Sequence, residues 1–85
     1  MIAYTLTNLN DFHAIEKECD IIELRLDHIT DFTAVSRIEK SKPVIFTLRR
    51  KSDGGIYDKP EEERKREIEK YFTLKPDYFD LEDDL

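Results

Sequence analysis

A single cysteine, Cys19, stands in the 85 residues. One thiol cannot close an internal disulfide, and no Cys-x-x-Cys spacing exists for a redox or metal pair. That fits a reducing, cytoplasmic setting. Long apolar runs are missing too; all fall far below the roughly 20 residues that span a bilayer. Met1 leads straight into the short run Ile2 to Leu6, with no basic leader and no small-residue cleavage site. A soluble, cytosolic chain is expected. A clustered basic face is also lacking. There are 20 acids against 14 bases, a net charge of −6, and the short run Arg64-Lys65-Arg66 is diluted by glutamates. A nucleic-acid partner is therefore not expected. Low-complexity stretches and linkers are absent, and 85 residues make one small domain at most.

What is present is an alternation of two periodicities. Ile2 to Leu6 is short, apolar and partly β-branched. Phe12, Ile15 and Cys19 then recur at helical spacing after the cap candidates Asn8 and Asn10. Residues 20–27 read as a second strand. Phe32, Val35 and Ile38 mark one face of a helix over 31–40, which Ser41-Lys42-Pro43 stops. Residues 44–49 read as a third strand, and Lys51 to Asp58 as a loop around Gly54-Gly55. A helix over 59–73 opens at Asp58 and Pro60 with Glu61, Glu62 and Glu63, where the helix dipole favours acids. Its apolar face is Ile68, Tyr71 and Phe72, and Glu61–Lys65 and Glu62–Arg66 are its i,i+4 pairs. Lys75-Pro76 ends it, and residues 77–82 read as a fourth strand. With strands near 2–6, 20–27, 44–49 and 77–82 and helices near 9–19, 31–40 and 59–73, the order is βαβαβαβ. That order implies crossovers and a parallel α/β sheet. An open flavodoxin-like sheet and the first half of a (β/α)8 barrel both fit it. A whole barrel needs about 250 residues and is excluded.

The strands carry charge where a parallel sheet is usually apolar on both faces. Ile22, Leu24 and Leu26 alternate with Glu23, Arg25 and Asp27, and successive side chains point to opposite faces. Val44, Phe46 and Leu48 likewise oppose Ile45, Thr47 and Arg49, and Phe79 and Leu81 oppose Tyr78, Asp80 and Glu82. An antiparallel sheet with one wet face would show the same alternation. With helices between the strands, the charges instead converge on one side of a parallel sheet. Burying such ions costs several kcal/mol each unless they are paired. Charged groups at the C-terminal ends of barrel strands usually mark an active site. Glu23, Asp27, Asp80 and Glu82 outnumber Arg25 and Arg49, so four negative charges face two positive ones. The surplus awaits a cation, which a lysine from elsewhere, a metal or protons would supply.

Three of these segments resemble a known family. Asp20-Ile-Ile-Glu-Leu-Arg-Leu-Asp27 resembles the second strand of the type I 3-dehydroquinate dehydratases, with its ExRxD signature. Pro43 to Gly55, containing Phe46-Thr47-Leu48-Arg49 and Gly54-Gly55, resembles the third strand and its loop. Asp77-Tyr-Phe-Asp-Leu-Glu82 resembles the fourth strand. The resemblance covers nearly the whole chain but only about the first half of the family's barrel. It implies a lyase of the shikimate pathway that turns 3-dehydroquinate into 3-dehydroshikimate and water, with no metal and no diffusible cofactor. A lysine forms an imine with the substrate ketone, and a histidine moves protons.

Carried over by position, Glu23, Leu24 and Arg25 resemble substrate-binding residues, as do Arg49 and, more loosely, Thr5. Asp27, Asp80 and Glu82 match acids that orient the arginines and the lysine. Asp53 falls where the family has a glutamate supporting the histidine, and its shorter side chain reduces its reach. The imine-forming lysine and the histidine match nothing in this chain and are expected beyond residue 85, so the chain alone is expected to be inactive. His13 and His28 do not align with that histidine and read as surface or rim residues. Lys51 reads as a solvated loop lysine and Cys19 as a packing residue. Other readings stay open: a non-catalytic α/β module for a small hydroxylated ligand, or a half-barrel that pairs with a second copy or with the other half of the barrel.

Overall fold

A computed structural model describes residues 2–80. Its elements are β1 (Ala3–Leu6), α1 (Phe12–Glu16), β2 (Ile21–Arg25), α2 (Phe32–Ser36), β3 (Val44–Thr47), a 3-10 turn (Lys51–Asp53), α3 (Glu61–Phe72) and β4 (Tyr78–Asp80). The strands lie side by side in the order β1-β2-β3-β4, and every pairing is parallel. The antiparallel alternative is thereby excluded.

The register makes two faces. Tyr4, Ile22 and Val44 form one row, and Leu6, Leu24, Phe46 and Phe79 form the next. Apart from Tyr4, which is 38% exposed, these rows lie under the helices. Phe12, Val35, Ile68 and Tyr71 join Ile22, Leu24, Val44 and Phe46 in one buried core. Tyr71 is its hub, with ring centroids 5.1 Å from Phe32 and 5.7 Å from Phe46. Each such side chain contributes about 1.5–3 kcal/mol by leaving water. On the opposite face run Thr5, Glu23, Ile45 and Tyr78, then Arg25, Thr47 and Asp80. Among the described residues no helix packs on this inner face, and Tyr78 there is 61% exposed. The period of two in the sequence thus separates a dry side from a polar side.

Carboxylates tie down the starts of the strands. Asp20 accepts from the Ile2 amide at 2.6 Å, and Asp77 from the Val44 amide at 2.8 Å. Buried Glu16 accepts from the Ser41 amide at 2.6 Å. Each satisfies a backbone donor that the sheet ladder leaves over.

The helices are shorter than their periodicity suggests. Instead of residues 9–19, α1 covers only Phe12–Glu16, and Asp11 rather than Asn8 or Asn10 is its N-cap, with no side-chain cap bond. The Asn8 side chain is engaged in a local turn, accepting from the Asn10 amide at 3.0 Å. Such turns compete with helix formation. In place of 31–40, α2 spans Phe32–Ser36, capped by the Asp31 carboxylate on the Ala34 amide at 3.1 Å. Thr33, Val35 and Ser36 are poor helix formers, and the Ser36 hydroxyl turns back onto the Thr33 carbonyl at 2.7 Å. The long α3 covers Glu61–Phe72, within the expected 59–73. Its inward face is Arg64, Ile68 and Tyr71, while Phe72 is 47% exposed and stacks on Phe79 at 4.8 Å. Glu61 binds Arg64, one position earlier than the expected Lys65. β2 stops at Arg25 because the amides of His28 and Ile29 turn back onto the Arg25 carbonyl. Asp27 therefore lies beyond the strand. Leu81 and Glu82 lie outside the described residues.

Candidate active site

Glu23 is the centre of the inner face. The Thr5 hydroxyl, from the partnered position on β1, donates to its Oε1 at 2.7 Å. The Thr47 hydroxyl, from β3, donates to its Oε2 at 2.6 Å. One carboxylate thus joins three strands. Two arginines stand beyond it toward the C-terminal ends of the strands. Arg25 donates through Nε and Nη2 to the two carboxylate oxygens of Asp27, at 3.0 and 2.8 Å. Arg49 reaches Asp80 at 3.2 Å, and both partners are partly exposed.

Asp27 also accepts from the Ile56 amide at 3.1 Å, which fastens the loop after β3 to the end of β2. Burial alone would raise its carboxyl pKa. The hydrogen bonds from Arg25 and from the Ile56 amide outweigh burial and hold it below the usual aspartate value. His28 lies at the rim with Nε2 3.7 Å from the same carboxylate.

The loop after β3 folds back on itself. The Arg50 carbonyl accepts from the amides of Asp53 and Gly55, the Lys51 amide donates to the Tyr57 carbonyl, and the Tyr57 amide donates to the Arg49 carbonyl. Gly54 has φ +89°, a left-handed conformation that glycine adopts without strain. A Cβ on Gly55 would sit 2.3 Å from the Arg49 carbonyl oxygen, so only glycine fits there. Asp53 is held by Arg50, Nε to Oδ2 at 2.6 Å. Arg50 also approaches Glu61 at 3.8 Å, and Glu61 binds Arg64, which is 1% exposed. Asp53, Arg50, Glu61 and Arg64 therefore run as alternating charges from the loop into the base of α3.

Most of the residues singled out in the sequence meet on this one face: Thr5, Glu23, Arg25, Arg49 and Asp80, with Asp27 behind Arg25. Leu24 does not. It is 1% exposed and points into the core under the helices, because neighbours in a strand face opposite ways. Its side chain cannot touch a ligand held by Glu23 and Arg25. Glu82 lies outside the described residues. His13 is on the surface beside Glu16, Lys51 is exposed in the 3-10 turn, and Cys19 is buried in the core.

The sequence alone does not distinguish Thr47 or Arg50 as site residues. A threonine in a strand looks like a β-branched filler, and the signal for Thr47 was only its place on the charged face. With the two arginines paired to aspartates, the negative surplus on the described face falls on Glu23. Among the described residues, no group of three or more His, Cys, Asp or Glu side chains is placed to hold a metal ion. No helix among them is long and apolar enough to cross a membrane.

A parallel α/β sheet, helices on one face and ionic groups gathered toward the strand C-termini on the other, defines the ligand-binding side of a (β/α) protein. The sequence profile of the type I 3-dehydroquinases matches residues 2–85, and this chain belongs to that family, as part of its TIM barrel. It is 43% identical over 82 residues to 3-dehydroquinate dehydratase of Archaeoglobus fulgidus, covering 95% of this chain and 39% of that protein. The Thermococcus onnurineus 3-dehydroquinate dehydratase is 35% identical over 86 residues, covering 95% of this chain and 40% of that protein. A chloroplastic bifunctional 3-dehydroquinate dehydratase/shikimate dehydrogenase of Arabidopsis thaliana is 38% identical over 74 residues, 81% of this chain and 12% of that one. The chain thus spans about two-fifths of the length of the archaeal relatives it matches.

Proposed function

We propose that the inner face of this sheet is the substrate-holding side of a 3-dehydroquinate dehydratase site. The observation that carries this reading is the convergence of Glu23, Arg25 and Arg49 on one polar face of a sheet whose other face is dry. Glu23 accepts hydrogen bonds from substrate hydroxyls, and the guanidinium groups of Arg25 and Arg49 donate to substrate oxygens. Asp27 and Asp80 aim the two arginines. Thr5 adds a hydroxyl at the rim of the first strand.

The reaction this implies is loss of water from 3-dehydroquinate to give 3-dehydroshikimate. A lysine amine condenses with the ketone, and the protonated imine draws electrons from the adjacent carbon. A histidine removes the C–H proton and then protonates the departing hydroxyl, and water hydrolyses the product imine to restore the ketone and free the lysine. Lysine and histidine come from outside these 85 residues, and the lysine places its positive charge against the Glu23 surplus. Asp53 does not act as the histidine's support without first leaving Arg50, to which it is bound. The open inner face and the end strands β1 and β4 favour closure by the rest of a barrel or by a second copy.

Calorimetric titration of the chain with 3-dehydroquinate tests the reading. We expect binding that Arg25→Ala abolishes, no conversion to the enone, and no borohydride-trapped adduct. Binding unchanged in Arg25→Ala, or turnover by the chain alone, would refute it.

A further inference from the structure

We propose that Thr47 is a positioning residue that sets the orientation of Glu23 for hydrogen-bond-donating ligands. The inference rests on the reading of Glu23 as a substrate-binding carboxylate. Thr47 is 0% exposed, although it lies on the polar face of the sheet. A hydroxyl taken out of water needs a partner, and the Thr47 partner is Glu23 Oε2 at 2.6 Å. Thr5 holds the other oxygen from the opposite strand at 2.7 Å. The carboxylate plane is therefore fixed from both sides, between β1 and β3.

The two threonines are not equivalent. Thr5 is exposed, so water can replace its hydroxyl. Thr47 is sealed, so water cannot. An ionised carboxylate offers about four acceptor positions, and the hydroxyls occupy two. The remaining lone pairs accept only from donors, which selects ligands that present O–H or N–H groups, such as the hydroxyls of a polyol. A strand position that merely needed β-branched bulk would be served equally by valine. The hydroxyl of Thr47 is what distinguishes it.

The test compares the chain with Thr47→Val and Thr47→Ser by two readouts. One is the side-chain rotamer averaging of Glu23 without ligand, from three-bond NMR couplings. The other is the affinity for 3-dehydroquinate. We expect one Glu23 rotamer in the parent and in Thr47→Ser. In Thr47→Val we expect averaging and about tenfold weaker binding, in line with loss of one hydrogen bond to a charged group. If Thr47→Val does not fold, Thr47→Cys, whose thiol is a weak donor, carries the same comparison. A Glu23 that keeps one rotamer without the Thr47 hydroxyl overturns the proposal. If the parent binds no 3-dehydroquinate while Thr47→Val still frees Glu23, the substrate reading falls and the positioning role stands.

Discussion

The Asp27 carboxylate holds the Arg25 guanidinium at two points, Nε to Oδ1 at 3.0 Å and Nη2 to Oδ2 at 2.8 Å. The aspartate side chain is fully buried and the arginine 17% exposed. Removing one partner leaves the other a buried, uncompensated charge. Asp27→Ala should therefore destabilise the chain by about 3 kcal/mol in urea unfolding. It should also release the Ile56 amide, seen as faster hydrogen exchange there. Asp27→Asn keeps the shape and should lose less.

The same carboxylate predicts an acid limit. Asp27 has a folded pKa below its ordinary value, and so does Glu16. For Glu16 the chief cause is the hydrogen bond from the Ser41 amide, which outweighs burial. A depressed carboxylate stabilises the fold above its unfolded pKa, and that stability is lost as pH falls through the folded one. Unfolding free energy should be level above roughly pH 5 and decline below about pH 4. The Asp27→Asn/Glu16→Gln double variant should show a flatter acid limb.

At the alkaline end the sentinel is Tyr71. Its phenol is pushed up to about 12, chiefly by burial and further by Glu67 and Asp31. A raised tyrosine stabilises the fold below its unfolded pKa of about 10, and that contribution is lost as pH rises through the folded value. Phenolate absorbance should show a late-ionising tyrosine, and Tyr71→Phe should remove it.

Two adjacent glycines should respond differently to alanine. Gly54→Ala meets no neighbour but must hold φ +89°, a strain of about 1–2 kcal/mol. Gly55→Ala puts a Cβ 2.3 Å from the Arg49 carbonyl oxygen, so the backbone itself must shift. We expect the larger loss of stability from Gly55→Ala. Protection of the Tyr57 amide, bonded to the Arg49 carbonyl at 3.3 Å, should fall with it.

How far the sequence discloses this molecule depends on the length scale of each cause. Alternation of Glu23, Arg25 and Asp27 with Ile22, Leu24 and Leu26 is a local pattern, and it separates the two faces correctly. Helix ends depend on competing short-range bonds such as Asn8 to the Asn10 amide, which periodicity does not register. The family resemblance carries Leu24 into the site with its neighbours, although the strand's own period turns it to the core. Thr47 and Arg50 act through partners 24 and 3 residues away, and nothing in their immediate neighbours announces it. Arg64 reads as one more charge in a basic run diluted by glutamates, yet it is buried on the same face as Ile68 and Tyr71.

The most direct test of the account is NMR mapping of 3-dehydroquinate on the isotope-labelled chain. We expect perturbations concentrated at Thr5, Glu23, Arg25, Thr47 and Arg49, with the core side of the sheet around Leu24 and Tyr71 unmoved. Perturbations confined to the helix side, or none at saturating ligand, would contradict it.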